Sequence, residues 1–408
     1  MKPGIGAIIL AAILGGSIPA HAAGWGLAIK NNGDALGETP LVTKVPPSVK
    51  PGVYRLVPRG GGETAVFAQV SQEEGESILT VMLPAVPARS TVHYTLDTRP
   101  GTERGDRWVS VKPSGTDIEV TISGKPFTVY RGGEASKPYL YPVIGPTGAA
   151  FTRAYPMVKD LPGEDHDHPH QRSFWFTHGK VNGLDFWASD PLNGNKPAFG
   201  SIRETSRRTG SGLSVGFIRT TNDWLDHDGK RVCSDERLMR FYSTKEARVL
   251  DFEITIRATD GPVTFGDTKE GMFGLRVASS MDVTKKKGGK ITNAEGLTNE
   301  AAWGKASPWV DYTGPVDGKT VGIAILNHPS SFRFPTTWHV RTYGLFAANP
   351  FGWNDFGLKK SGDHTIPKGE TMHFGYRVIF HEGDTEAARV ADQFRTYSQP
   401  LPVEFQGE

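Results

Sequence analysis

From residue 53 onward, short runs of β-branched, aromatic and aliphatic residues alternate with turn formers. They fall at 53–57, 65–70, 78–83, 92–96, 118–122, 127–130, 213–218, 238–242, 249–256, 274–278, 321–326, 339–345 and 373–380, and each reads as a strand. Between Arg248 and Arg257 polar and apolar side chains alternate, with Val249 and Leu250 the one lapse, the pattern of a strand wet on one face. Helical spacing is rare: in 385–397, Ala388, Val390, Ala391 and Phe394 share one stripe and Asp384 stands ready as a cap. Many strands punctuated by Gly and Pro predict an all-β protein built as a large antiparallel β-sandwich, with a small N-terminal β region and one C-terminal helix.

The expected organisation is an export signal over 1–22, a linker over 23–50, an N-terminal β region over 51–105 and a main sandwich over 106–408. The signal rests on Lys2, the apolar run 5–13 and Ala20-His21-Ala22. That run is too short to span a bilayer, so a periplasmic or secreted protein is expected. The linker reading rests on Gly33, Gly37, Pro40, Pro46, Pro47 and Pro51. At +2 the chain has no field to attract nucleic acid, and Lys285 to Lys287, the one compact basic run, ends in two glycines like a hairpin tip. Cys233 is the only cysteine, which excludes an internal disulfide.

The chemistry concentrates in 156–187. Here His166, His168, His170 and His178 lie among Glu164, Asp165, Asp167, Asp185 and Arg172, with Trp175, Phe176 and Trp187 threaded between them. Such a mixture is either a solvated loop or a polar site. The prompt return of aromatics after Arg172 favours the site. His168 and His170 could share a divalent metal, since alternate residues of an extended chain face one way. Acid–base catalysis asks less of them. Arg172 could hold an anion or pair with Asp165 or Asp167. Lys269 and Glu270 sit between two strands, and Glu270 is the candidate carboxylate partner. In 333–356, Trp338, His339, Arg341 and Asn349 combine a planar ring with polar groups, as a sugar site does. The expected catalytic set is His168, His170, Arg172, Glu270 and His339. The expected substrate-binding set is Arg153, Trp175, Asn182, Asp185, Lys269, Trp338, Arg341 and Asn349. No phosphate-binding glycine loop, nucleophile elbow or cysteine metal motif is present.

Five stretches carry a family resemblance: 137–156 (KPYLYPVIGPTGAAFTRAYP), 167–187 (DHPHQRSFWFTHGKVNGLDFW), 267–278 (DTKEGMFGLRVA), 309–314 (WVDYTG) and 338–352 (WHVRTYGLFAANPFG). Together they resemble a bacterial family labelled "methane oxygenase PmoA-like", a domain of unknown function. That family has a histidine where this chain has Gln171. The label borrows from a multi-helix bilayer subunit, and a chain of short strands does not fit that architecture. The resemblance implies a galactose-mutarotase-like supersandwich. Three functional readings stand beside it: an exported carbohydrate-active enzyme of epimerase, lyase or hydrolase type, a glycan-binding protein without catalysis, or a redox metalloprotein that binds copper through His21, which becomes the N-terminus if the signal is cleaved after Ala20 instead of Ala22. The first predicts a sugar or glycan fragment as the ligand.

Overall fold

The computed structural model describes residues 25–60, 65–73, 75–97, 107–133 and 135–407. The expected export signal over 1–22 and the 98–106 stretch that holds the expected domain boundary lie outside them. Among the described residues no helix is long and apolar enough to cross a membrane.

The fold is all-β and antiparallel, as the alternation predicts. Two eight-stranded sheets face each other. One runs in the order Trp338–Val340, Leu345–Ala348, Gly271–Arg276, Phe174–His178, Tyr139–Val143, Lys125–Arg131, Asp117–Ile122, Val109–Ser114. The other is centred on Arg231–Tyr242, Arg248–Arg257, Thr371–Glu382 and Lys319–Asn327. Between them lies the main core, where Phe174, Phe176, Leu250, Phe252, Phe273, Trp338 and Phe380 are all buried. Arg248–Arg257 shows how alternation builds it: Leu250, Phe252, Ile254 and Ile256 enter this core. Asp251 points the other way and takes the Arg377 fork at 2.6 and 2.8 Å.

The expected linker is a correction. Trp25–Asn31 and Thr39–Lys44 are strands of a seven-stranded N-terminal sheet. Leu27, Ile29 and Leu41 supply its core, together with residues from 45–96. The prolines and glycines that suggested a linker punctuate these strands, and Pro40 sits in an edge strand, where a missing N–H is tolerated. Val403–Gly407 completes the sheet by pairing with Trp25–Asn31. The helix is shorter than expected, Val390–Ser398. Asp384 instead caps the preceding turn through Ala387 N at 2.9 Å, and Arg389 at φ +51° breaks the spiral between the two.

The run 339–345 is not one strand. It folds back through a turn at Arg341–Gly344, closed by Gly344 N to Arg341 O at 3.0 Å, with Gly344 at φ +96°. That turn places two side chains of the site described next.

Candidate active site

Strand register decides which residues reach the outer face of the site sheet. His339 pairs with Ala347, Ala347 with Gly274, and Gly274 with Trp175, so this row shares one face. Its neighbour Trp338 therefore turns inward. It is fully buried, with its indole N–H on Ser307 O at 2.9 Å. Gly274 gives the row a low floor, because a Cβ there would lie 2.8 Å from the Trp175 ring.

Over this face a hollow of about 410 Å³ is lined by His168, His170, Gln171, Trp187, Ala188, Lys269, Glu270, His339, Arg341 and Tyr343. Its residues come from four segments: the His-rich loop, Trp187 and Ala188 beyond the strand Phe174–His178, the approach to Gly271–Arg276, and the Arg341–Gly344 turn with the strand before it. Glu270 is held in place because its carbonyl accepts Gly179 N at 2.7 Å. Burial raises the Glu270 carboxyl, against the opposing charge of Lys269, whose Nζ lies 3.5 Å from Oε1.

His168 is exposed yet anchored on two sides. Its Nδ1 lies 2.6 Å from Asp167 Oδ2, and its ring stacks on Tyr343 at 5.5 Å and 7°. The backbone there is left-handed, φ +44°, a conformation a non-glycine residue adopts only when its surroundings impose it. Asp167 is fixed in turn by Arg153 and by Arg276 Nη2 at 3.0 and 3.2 Å. Burial works against the charged Asp167, yet the His168 hydrogen bond and the two guanidinium groups hold its carboxyl well below the usual range. Nε2 of His168 has no protein partner among the described residues.

The other two imidazoles differ. Burial, with Lys137 adding to it, lowers His170 to about 3, and burial with Arg341 lowers His339 to about 3. Both are neutral at ordinary pH. His339 Nδ1 accepts the Trp303 indole N–H at 3.0 Å, and His170 Nδ1 lies 3.3 Å from the Asn193 amide nitrogen. With Nδ1 used as an acceptor, the ring proton of each sits on Nε2. His170 and His339 thus offer N–H donors, and the base with a carboxylate behind it is His168.

Several expected site residues lie elsewhere. Trp175 is 2% exposed, packed against Trp187 and over Gly274, so no ligand reaches it. Arg172 is no surface pair with Asp165 or Asp167: it is buried in a two-pronged bond to Asp190 at 2.6 and 3.0 Å. Arg153 is fully buried and spends its fork on Asp167 and on the carbonyls of Asp165 and His168. Asn182 is exposed in a turn outside the hollow, taking Thr264 N at 2.7 Å. Asn349 is buried and ties down the 268–270 backbone by donating to Thr268 O and Lys269 O at 3.0 and 2.8 Å. Asp185 shapes the lining by accepting Trp187 N and Ala188 N at 2.8 and 2.9 Å. Among the described residues no third His, Cys, Asp or Glu joins His168 and His170 in a group able to hold a metal ion, and their rings meet edge to face at 5.7 Å.

Sequence reasoning missed Asp167 as an anchor, Gln171 and Tyr343 as lining, and Arg276, whose guanidinium binds Gln171 Oε1 at 2.6 Å and Asp167 at once. Only the adjacent Asp167-His168 pair carried a local signal. Behind Arg276 lies Asp282, fully buried, with neither carboxylate oxygen hydrogen-bonded.

No curated protein matches the chain. Among solved structures it is similar to a glycosyl hydrolase family 38 protein from Enterococcus faecalis (9% identity, TM-score 0.42, 95% of this chain and 48% of that one). It is also similar to an alpha-mannosidase from Enterococcus faecalis V583 (10%, 0.42, 94% and 46%), and to a galactose mutarotase-like protein from Lactobacillus casei (9%, 0.29, 67% and 100%). The chain spans about half the length of the two Enterococcus proteins. The model of a family of unknown function (DUF6807) matches residues 117–395, and the chain belongs to that family.

Proposed function

We propose that the hollow is the active site of an exported enzyme that moves protons on a sugar or glycan fragment, with His168 as the base and Glu270 as its acid partner. One observation carries this reading: a carboxylate-backed imidazole with a free Nε2 opens into the same hollow as a half-buried carboxyl. Asp167 holds the Nδ1 side of His168 and so fixes its tautomer and ring orientation, leaving Nε2 to take the proton. A carboxyl raised by burial can hold a proton to return or to pass to a departing oxygen.

The lining also supports one reaction type over another. Hydrolysis of a glycosidic bond in the usual way asks for two carboxyl groups flanking it, and Glu270 is the one acid among the lining residues. Epimerisation and elimination need one base and one acid, which the hollow has. Non-catalytic sugar binding needs an exposed aromatic platform, and Trp175 and Trp338, both in the expected substrate-binding set, are covered.

The test is a glycan panel with product masses recorded for wild type, His168→Ala and Glu270→Gln. Unchanged or eliminated masses are expected, with turnover falling roughly 100-fold or more in each variant while circular dichroism stays as in wild type. Turnover at the wild-type rate by both variants overturns the assignment.

A further inference from the structure

One cation in the hollow has no acid of its own. Lys269 lies beside Glu270, Arg172 is committed to Asp190, and Arg153 and Arg276 hold Asp167. Arg341 makes no salt bridge or side-chain hydrogen bond among the described residues. Two rings hold it instead: its guanidinium carbon lies 5.6 Å from the centroid of Trp303 and 5.6 Å from that of Tyr343.

Its backbone is equally constrained. Arg341 N donates to Leu345 O at 2.7 Å, and its carbonyl accepts Gly344 N at 3.0 Å and the Tyr312 hydroxyl at 3.3 Å. Stacking uses the faces of a guanidinium and leaves its in-plane N–H donors free. The result is a permanently charged, oriented fork at a site whose other cations are spoken for.

We propose that Arg341 receives a substrate carboxylate, so that the hollow takes an acidic sugar, a uronate unit, in place of a neutral one. This rests on the proton-moving reading above. A carboxylate matches the planar fork through two parallel hydrogen bonds. It also supplies the acidity the base needs, because the C–H beside a carboxylate is removable only when the resulting enolate is stabilised, and a fixed cation on the carboxylate oxygens does that.

The step balances without a co-reactant. His168 Nε2 takes the proton from the carbon that bears the carboxylate, and the C–H electron pair moves into the enolate. In epimerisation the enolate electron pair returns to the carbon, which takes the proton of Glu270 on the opposite face. In elimination the pair re-forms as a carbon–carbon double bond while the neighbouring C–O bond breaks, and the leaving oxygen takes the proton of Glu270.

Calorimetric titration of the purified protein tests this. The probes are trisaccharides of D-galacturonate and of D-glucuronate, the matching D-galactose and D-glucose trisaccharides, and inorganic sulfate and phosphate alone. Wild type should bind a uronate trisaccharide at least roughly tenfold tighter than its neutral counterpart, the effect of one charge-assisted pair. Arg341→Gln should lose that preference, and Arg341→Lys, which keeps the charge but not the fork, should recover only part of it. Equal affinity for neutral and acidic sugars, a preference that survives in Arg341→Gln, or equal binding of the inorganic anions each overturns the inference. His168-dependent turnover confined to neutral glycans sinks this inference and leaves the acid–base reading standing. Arg341-dependent uronate binding with turnover that ignores His168 does the reverse.

Discussion

Asp282 offers a prediction whose size follows from its surroundings. The side chain is fully buried and neither oxygen has a hydrogen-bond partner, so ionisation strands a charge. Burial, reinforced by Asp165 and opposed by Arg276, Lys285 and Arg153, pushes its carboxyl up from 3.8 to about 7. At 1.36 kcal/mol per pH unit that displacement amounts to roughly 4 kcal/mol. The sign follows from proton binding. Below about pH 4 the group is protonated in the folded and the unfolded chain and exacts no penalty. As pH rises toward 7 the unfolded chain releases the proton and the folded chain keeps it, so stability declines. Asn keeps the shape without the titration. The stability of Asp282→Asn relative to wild type should therefore rise by roughly 3 kcal/mol between pH 5 and pH 8. Urea unfolding followed by the fluorescence of the nine tryptophans measures it at each pH. The slope is the test, since an amide with unmet hydrogen bonds shifts both ends alike. A difference that stays flat across the range refutes the argument.

Two further outcomes concern the site. Asp167→Asn removes the carboxylate that orients His168, and turnover on whichever glycan the panel identifies should fall roughly 100-fold or more, with far-ultraviolet circular dichroism confirming the fold. Gly179→Ala would put a Cβ 2.9 Å from the Glu270 carbonyl oxygen and 2.8 Å from its Cβ. Displacing Glu270 should lower kcat without a matching change in the binding of product, which a titration alongside the rate assay separates.

The fold class was legible because the period-two pattern survives even in isolated runs. Strand parity was not legible at Trp338 and His339, both expected in the site: neighbours in one strand face opposite ways, His339 toward the hollow and Trp338 into the core, and an indole beside polar residues cannot announce that by itself. His168, His170, Lys269, Glu270, His339 and Arg341 all line one hollow, and their chemistry marked them out singly. Their partners were hidden, because Arg153 with Asp167, Arg172 with Asp190 and Arg276 with Gln171 are pairings through space. The floor was hidden for another reason. Gly274 and Ala347 matter by having almost no side chain, and small residues carry no chemical signature. The strands within 25–44 went unread because Gly and Pro break up their pattern, and one of them, Trp25–Asn31, has a partner beyond residue 400.

That last pairing bears on how the protein assembles. Trp25–Asn31 has Ser90–Asp97 on one side and Val403–Gly407 on the other, so its outer backbone groups wait for a segment made more than 370 residues later. During synthesis the N-terminal sheet carries an open, apolar edge of the kind that recruits strange strands. Closing it is a late, long-range event, and a nascent chain shielded until Val403–Gly407 emerge avoids that hazard.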